Sequence, residues 1–218
     1  MANIAIDIDD TLYSFTDEAR QVLSRMIDDP EFEDFQEQLS NCLYAKWDQW
    51  RTPYELCGFD EQGKSLWLDC IAKCHDNDAI LGQTPYRDCV SILCELSDQG
   101  HKLIYISSRA AETEAATRQW LMINGFPGGQ LVICQGDKTP YVQDCQYMID
   151  DRPRNVIDFV YDHEWPALDG EGQRKAFVIV TDYNGGLTDV RNLYLAHNWV
   201  GLRRYLVKEG LLQTPSLV

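Results

Sequence analysis

The sequence predicts an α/β fold: a Rossmann-like, doubly wound parallel sheet with a mostly helical segment inserted after the first strand. Three observations predict it. Five short apolar runs, Asn3–Ile6, Lys102–Ile106, Gln130–Cys134, Gln146–Ile149 and Ala176–Val180, each stop at polar or charged residues. They are rich in Ile, Val and Tyr, the pattern of strands buried on both faces. Helical periodicity lies between the later runs, and alternating strand and helix patterns imply a parallel sheet. The first two runs are separated by residues 7–101, far more than one crossover needs.

The elements follow in order. Asn3–Ile6 is the first strand. Helical patterns then cover Thr16–Asp28, Glu31–Leu43 and Gln62–Cys74, with breaks at Pro53 and Asp60. A helix over Tyr86–Asp98 closes at Gly100, a C′ glycine. The second strand follows, then a helix over Ala111–Asn124 ended by Gly125 and Pro127. The third and fourth strands come next. A polar stretch containing Asp162, Glu164, Asp169 and Glu171 leads to the fifth strand at Ala176. Asp189–Lys208 reads as helical, with Trp199 and Leu202 packed on the core. The expected division is a core of residues 1–14 and 83–218 with a helical cap of residues 15–82, a lid able to exclude water and select substrates.

The chain has 218 residues, of which 44% are apolar, enough for a substantial core. Lys and Arg number 19 against 35 Asp and Glu, a formal net charge of −16. Such a chain repels phosphate backbones and anionic membranes, so nucleic acid is not expected as a partner. A small anionic ligand at a locally positive site is still allowed. Asp7, Asp9 and Asp10 stand where a signal peptide needs apolar residues, and no run approaches a membrane span. The expected location is cytoplasmic. The eight scattered cysteines read as reduced core thiols. Cys70, Cys74 and His75, with Cys57 nearby, lack the spacing of a standard zinc pair, so zinc is not expected.

The most informative segment is Ile4-Ala5-Ile6-Asp7-Ile8-Asp9-Asp10-Thr11-Leu12. An apolar strand runs out in two carboxylates spaced two apart, and a hydroxyl follows two residues later. Carboxyl ends of strands are where open parallel sheets form sites. Side chains alternate with period two, so Asp7 and Asp9 leave on the same side. Their repulsion calls for a hard divalent cation with oxygen ligands. A solvated acidic turn would explain the acidity but not the Asp-x-Asp-x-Thr order.

Each later strand also ends usefully. Ser107-Ser108-Arg109 follows the second, where a hydroxyl and backbone N–H groups before a helix can hold phosphate oxygens, or Ser can simply cap the helix. Gly136-Asp137-Lys138-Thr139 follows the third, and Lys138 brings a positive charge. Asp150-Asp151-Arg152-Pro153 follows the fourth as a second acidic pair.

Asp-x-Asp-x-Thr, then Ser, then Lys, then Asp-Asp, each at a strand end, resembles the haloacid dehalogenase-like hydrolase superfamily over the whole chain. The resemblance implies that Asp7 attacks phosphorus to form an aspartyl-phosphate. Asp9 would protonate the leaving oxygen and then activate water. Magnesium would sit among Asp7, the main-chain carbonyl of Asp9 and the Asp150–Asp151 pair, with either acid of the pair as direct ligand. Ser107 and Lys138 would hold the transferred phosphoryl oxygens, with Thr11 and Ser108 as further contacts. Asp10 departs from the glycine often found at its position.

Within the superfamily the chain looks most like the 5′(3′)-deoxyribonucleotidase group, in its bacterial and phage-type form. The helical insertion, Pro85, Asp137-Lys138-Thr139 and Ile149-Asp150-Asp151-Arg152-Pro153 carry this likeness, and Val180-Thr181-Asp182-Tyr183-Asn184 sits where that group has a final strand and polar turn. The implied substrate is a small phosphorylated compound, a nucleoside 5′-monophosphate as first choice. A sugar phosphate, or binding without catalysis, is the alternative. The insertion carries Phe15, Tyr44, Trp47, Trp50, Tyr54 and Trp67. Trp47 and Trp50, in a polar stretch, are candidates to stack on a base. Trp67, between Leu66 and Leu68, reads as core. Arg109 and Arg152 are candidates for phosphate or ribose contacts, or for pairing with carboxylates. The sequence leaves a homodimer open.

Overall fold

The computed structural model describes residues 1–44, 61–134, 136–161, 174–181, 184 and 191–214. Six parallel strands form one sheet. They are β1 (Asn3–Asp7), β2 (Lys102–Ser107), β3 (Gln130–Ile133), β4 (Tyr147–Asp150), β5 (Lys175–Ile179) and β6 (Leu193–Ala196), in the order β3-β2-β1-β4-β5-β6. β1 is central, pairing with β2 from Asn3↔Lys102 to Asp7↔Ile106 and with β4 from Ile4↔Tyr147 to Ile6↔Ile149. The chain builds outward from β1 to one side and then, from β4, to the other. The end of β1 is therefore the topological switch point, the usual place for a site in such sheets.

Both faces of the sheet are covered, as the unbroken apolar runs require. Ile4, Ile6, Leu103 and Tyr105 point into one core cluster with Trp120, Trp199 and Leu202. Ala5, Ile106, Met148 and Val178 point into another with Val156 and Phe159. Alternate residues of one strand serve opposite clusters because the pleat has period two.

Between β1 and β2 the described helices are α1 (Phe15–Ile27), α2 (Gln36–Tyr44), α3 (Glu61–Cys74), α4 (Asn77–Gly82) and α5 (Cys89–Asp98). α1, α2 and α3 bury their own cluster, including Val22, Leu23, Leu39, Leu66, Trp67 and Cys70. Trp67 is core, as its neighbours suggested, while Leu68 is exposed. α6 (Glu114–Ile123) follows β2, α7 (Pro153–Tyr161) follows β4, and α8 (Trp199–Lys208) closes the described chain.

Several elements depart from the expectations. Of the stretch expected to be helical from Asp189, the described part, from residue 191, contains β6: Leu193-Tyr194-Leu195-Ala196 pairs with β5, and the helix starts only after Asn198, whose side chain accepts from Gly201 N–H at 2.8 Å. α7 lies in a segment read as polar connection. Pro153 at its first turn and buried Val156 and Phe159 three apart are its signals. The expected Glu31–Leu43 helix divides after Phe35 into a 3₁₀ stretch, Pro30–Phe35, kinked at Phe32, and α2. The helix expected from Tyr86 starts at Cys89, because Asp88 is left-handed, φ 67°. α4 was not expected. Asp76 caps it, accepting from Ala79 N–H at 2.7 Å. Gly100 does follow α5 with φ 84°, the conformation a C′ glycine supplies. Cys70, Cys74, Cys89, Cys94, Cys134 and Cys145 are free thiols, as expected, whereas Cys42 is disulfide-bonded.

Candidate functional site

The strand-end residues converge. Asp7 ends β1, and its neighbours on the sheet bring Ser107 and Asp150 beside it. After Asp9 the backbone turns through Asp10, φ 59°. Asp tolerates this left-handed conformation better than most residues. Its carboxylate also accepts from Thr16 N–H at 2.8 Å and Thr16 Oγ at 2.7 Å, which ties the turn to the first residues of α1. Asp10 thus anchors the turn as well as forming it. The Thr11 hydroxyl donates to Asp151 Oδ1 at 3.1 Å, and its carbonyl accepts from the Trp199 indole at 3.0 Å.

Lys138 enters from the turn after β3. Gly136 takes φ 85°, and Asp137 accepts from Thr139 N–H at 2.9 Å, closing the turn. The buried Lys138 ammonium donates to Asp7 and, at 2.9 Å, to Asp150 Oδ2. Burial alone would lower it, but the charges of Asp150 and Asp7 outweigh burial and hold it above its ordinary value. Burial pushes Asp7 well above the usual carboxylate range, opposed by Lys138 and reinforced by Asp150 and Asp151. Asp151 is pushed up to about 6, first by burial and then by Asp150 and Asp10.

Asp7, Asp150 and Asp151 present carboxylate oxygens within 4.8 Å of one another, the one such acidic group among the described residues. Three buried carboxylates against one ammonium leave two negative charges in a dry site. An all-oxygen set of that charge suits a hard divalent cation. Asp150 is already engaged: beyond Lys138, Arg152 N–H donates to it at 2.7 Å and Asn155 Nδ2 reaches both its oxygens. Asn184 Nδ2 donates to the Asp151 carbonyl at 2.6 Å and to the Ile179 carbonyl at 2.8 Å, pinning the loop after β4.

The Asp9 side chain stands apart from this acidic group. Arg109 Nε reaches both its oxygens, at 3.1 and 3.2 Å, and Nη2 reaches Oδ1 at 3.0 Å. The Tyr13 hydroxyl donates to Oδ1 at 2.6 Å and Ser107 Oγ to Oδ2 at 3.1 Å. His75 Nε2, at the end of α3, lies 3.5 Å from Oδ1. Burial would raise Asp9, but the Arg109 charge, with His75 beside it, holds it well below the usual carboxylate range.

Of the residues singled out from sequence, Asp7, Asp9, Thr11, Ser107, Arg109, Lys138, Asp150 and Asp151 come together. Arg109 pairs with a carboxylate, its own side chain fully buried and that of Asp9 partly exposed. Ser108 is exposed. Trp47 and Trp50 lie outside the described residues. Tyr13, Gln83, Thr117, Asn155 and Asn184 were not singled out for this site, and His75 was weighed only as a metal ligand.

No described helix is long and apolar enough to cross a membrane. A described nucleotidase family, "5′ nucleotidase, deoxy (Pyrimidine), cytosolic type C protein", matches residues 1–163. A "Putative nucleotidase" of Bacillus cereus is 28% identical over 99 residues, covering 43% of this chain and 50% of the relative, so the chain spans about half the length of that protein. Another from Oceanobacillus iheyensis is 27% identical over 166 residues, 72% of this chain and 80% of the relative. The structure of a predicted phosphatase from Clostridium acetobutylicum superposes with a TM-score of 0.62 at 17% identity, covering 95% of this chain and 98% of that one. Haloacid dehalogenase-like hydrolases are among the solved structures that share the fold. With three quarters of its length matched by the family's model, the chain belongs to the 5′-nucleotidase, deoxy (pyrimidine), cytosolic type C family.

Proposed function

We propose that the protein is a magnesium-dependent phosphomonoesterase that hydrolyses nucleoside 5′-monophosphates, deoxy forms included, through a phosphorylated Asp7. The observation that carries this reading is the meeting of Asp7, Lys138 and the Asp150–Asp151 pair at the end of the central strand.

Asp7 attacks phosphorus as the nucleophile. Lys138 and Ser107 hold the transferred oxygens, and Thr11 steadies the loop through Asp151. The negative charge of the bound phosphate opposes the pull of Arg109 and His75 on Asp9, which then gives a proton to the leaving oxygen and later takes one from water. Asp7, Asp151 and the main-chain carbonyl of Asp9 would hold magnesium, which when bound offsets the charge gathering on the phosphoryl oxygens. Asp150 is the acid of the pair that holds Lys138 in place. Its oxygens already accept from Lys138, Arg152 N–H and Asn155, which supports Asp151 as the direct ligand.

The described helices between residues 15 and 82 act as a cap for this site. Phe15 packs against His75 with ring centroids 5.3 Å apart and planes tilted by 33°, and His75 lies beside Asp9, so aromatic side chains border the leaving-group side. Family membership and the relatives' nucleotidase descriptions support a nucleotide over a sugar phosphate.

Phosphate release from ribo- and deoxyribonucleoside monophosphates, hexose phosphates and p-nitrophenyl phosphate, with magnesium and with chelator, tests the reading. Magnesium-dependent release that is strongest on nucleotides is expected. Preference for hexose phosphates would overturn the substrate, and no release from any ester would overturn the chemistry.

A further inference from the structure

The grip on Asp9 is itself anchored where the chain passes between the sheet and the helices inserted after β1. The Arg109 side chain is fully buried. Nη1 donates to Thr117 Oγ1 at 2.9 Å, and Nη2 to the Tyr13 hydroxyl at 3.1 Å and Gln83 Oε1 at 3.0 Å. Tyr13 lies just before the cap of α1, and Gln83 just after α4. The two crossings are joined by Tyr86 N–H donating to the Leu12 carbonyl at 2.7 Å, and the Trp120 indole fixes the Gln83 carbonyl at 2.8 Å. Among the described residues Asp9 is the one carboxylate paired with Arg109, and the other three acceptors are neutral. A planar guanidinium clamped in this way fixes where, and at what angle, the carboxylate sits.

We propose that Arg109 is a positioning residue for the second half of the reaction, the hydrolysis of phosphorylated Asp7. The proposal rests on the phosphatase reading above. In that step a water oxygen bonds to phosphorus as the bond from phosphorus to the Asp7 oxygen breaks. The electron pair returns to the Asp7 carboxylate and the water proton passes to Asp9. Both Asp9 oxygens accept hydrogen bonds from Arg109, Tyr13 and Ser107 together, which fixes the position and angle of the carboxylate. When a phosphoryl oxygen recruits the Ser107 hydroxyl, Asp9 loses that partner, and Arg109 with Tyr13 keeps the carboxylate in place. Attack by Asp7 depends on Lys138, Ser107 and the acidic group, and the Arg109 side chain bonds to none of them; only its backbone N–H reaches Ser107 Oγ, at 3.2 Å, a contact that a change of side chain keeps. With a leaving group that needs no proton, the first half-reaction is insensitive to Arg109.

Arg109→Met and Arg109→Lys in the full chain, assayed with magnesium and p-nitrophenyl phosphate, test this. In Arg109→Met, kcat should fall by about a hundredfold or more, in the range of a lost base. KM should fall with it, leaving kcat/KM unchanged, because only the later step has slowed. A pre-steady-state burst of p-nitrophenol should approach one equivalent per active site, and acid-quenched protein should carry phosphate on Asp7. Arg109→Lys should restore part of kcat and shrink the burst. A fall in kcat/KM without a burst, or an unchanged kcat, overturns the proposal. If Arg109→Met does not fold, Gln83→Met, which loosens Arg109 without removing its charge, should show the same burst on a smaller scale, and its absence overturns the proposal equally. A wild-type protein that releases no p-nitrophenol overturns the phosphatase reading itself, a result distinct from either.

Discussion

Asn155 donates to both oxygens of Asp150, at 3.1 and 3.0 Å, and so holds the first acid of the pair from the side of α7. Lys138 and Arg152 N–H also bond to Asp150, which supports the proposal that Asp151 is the acid that holds the ion. Asp151→Asn should weaken magnesium binding by about a hundredfold or more. Asn155→Ala, which removes a support behind the site, should weaken it by about tenfold, the lower end for such partners. Calorimetric titration of each variant measures this, and an Asp151→Asn protein that binds magnesium as tightly as the wild type would show the assignment to be reversed.

Asp7→Asn should lose turnover by about 10⁴-fold or more if Asp7 is the group phosphorylated, as proposed above. The metal-free variant should nevertheless be more stable than the wild type. One of three crowded carboxylates becomes neutral, while Lys138 keeps Asp150. If about 1 kcal/mol of repulsion is relieved, Tm should rise by about 2–4 °C for a chain of this size. Scanning calorimetry in chelator checks it, and a lower Tm would mean that the Lys138–Asp7 contact outweighs the repulsion.

The parts of this site legible in sequence are those tied to strand ends. Asp7, Ser107, Lys138, Asp150 and Asp151 follow apolar runs, and a parallel sheet brings such positions to one edge. Their supports left no such trace. Gln83, Thr117 and Asn155 are single polar residues in ordinary surroundings, and only the fold shows that each points at a charge. Arg109 follows two serines in a loop, a setting in which arginine is usually solvated, yet its side chain is fully buried. β6 escaped because Leu193–Ala196 is too short to separate a strand from the start of a helix by periodicity. Trp67 shows the opposite case: its apolar neighbours were enough to place it in the core.

Stability of the metal-free protein should carry a pH signature from Asp151. Its folded value, about 6, lies above the ordinary aspartate value of about 3.9. The folded state therefore binds the proton more tightly than the unfolded state, so this contribution is full below about 3.9 and is lost as pH rises through about 6. Relative to Asp151→Asn, the wild type should lose stability between pH 4 and pH 7. Protons also compete with the metal, so magnesium affinity should drop as pH falls below about 6. Thermal melts of both proteins in chelator across this range check the first statement. A difference in Tm that does not change with pH would refute it.

Trp199→Phe separates packing from anchoring. The indole is buried among Leu202, Leu206 and Ile179, and its N–H donates to the Thr11 carbonyl at 3.0 Å. Phenylalanine keeps most of the apolar contact but leaves that buried carbonyl without this donor, a cost of about 1–3 kcal/mol. The same carbonyl belongs to the residue whose hydroxyl reaches Asp151 Oδ1, so loosening it should also blunt the metal site. The expected result is a lower Tm together with weaker magnesium binding, although Trp199 touches no ligand of the ion. Thr11→Val removes the hydroxyl and keeps the carbonyl bond, and so should weaken magnesium binding with a smaller loss of stability. Denaturation and calorimetric titration of both variants provide the comparison. If Trp199→Phe lowers Tm and leaves magnesium affinity intact, α8 supports the sheet alone and has no part in holding the loop after β1.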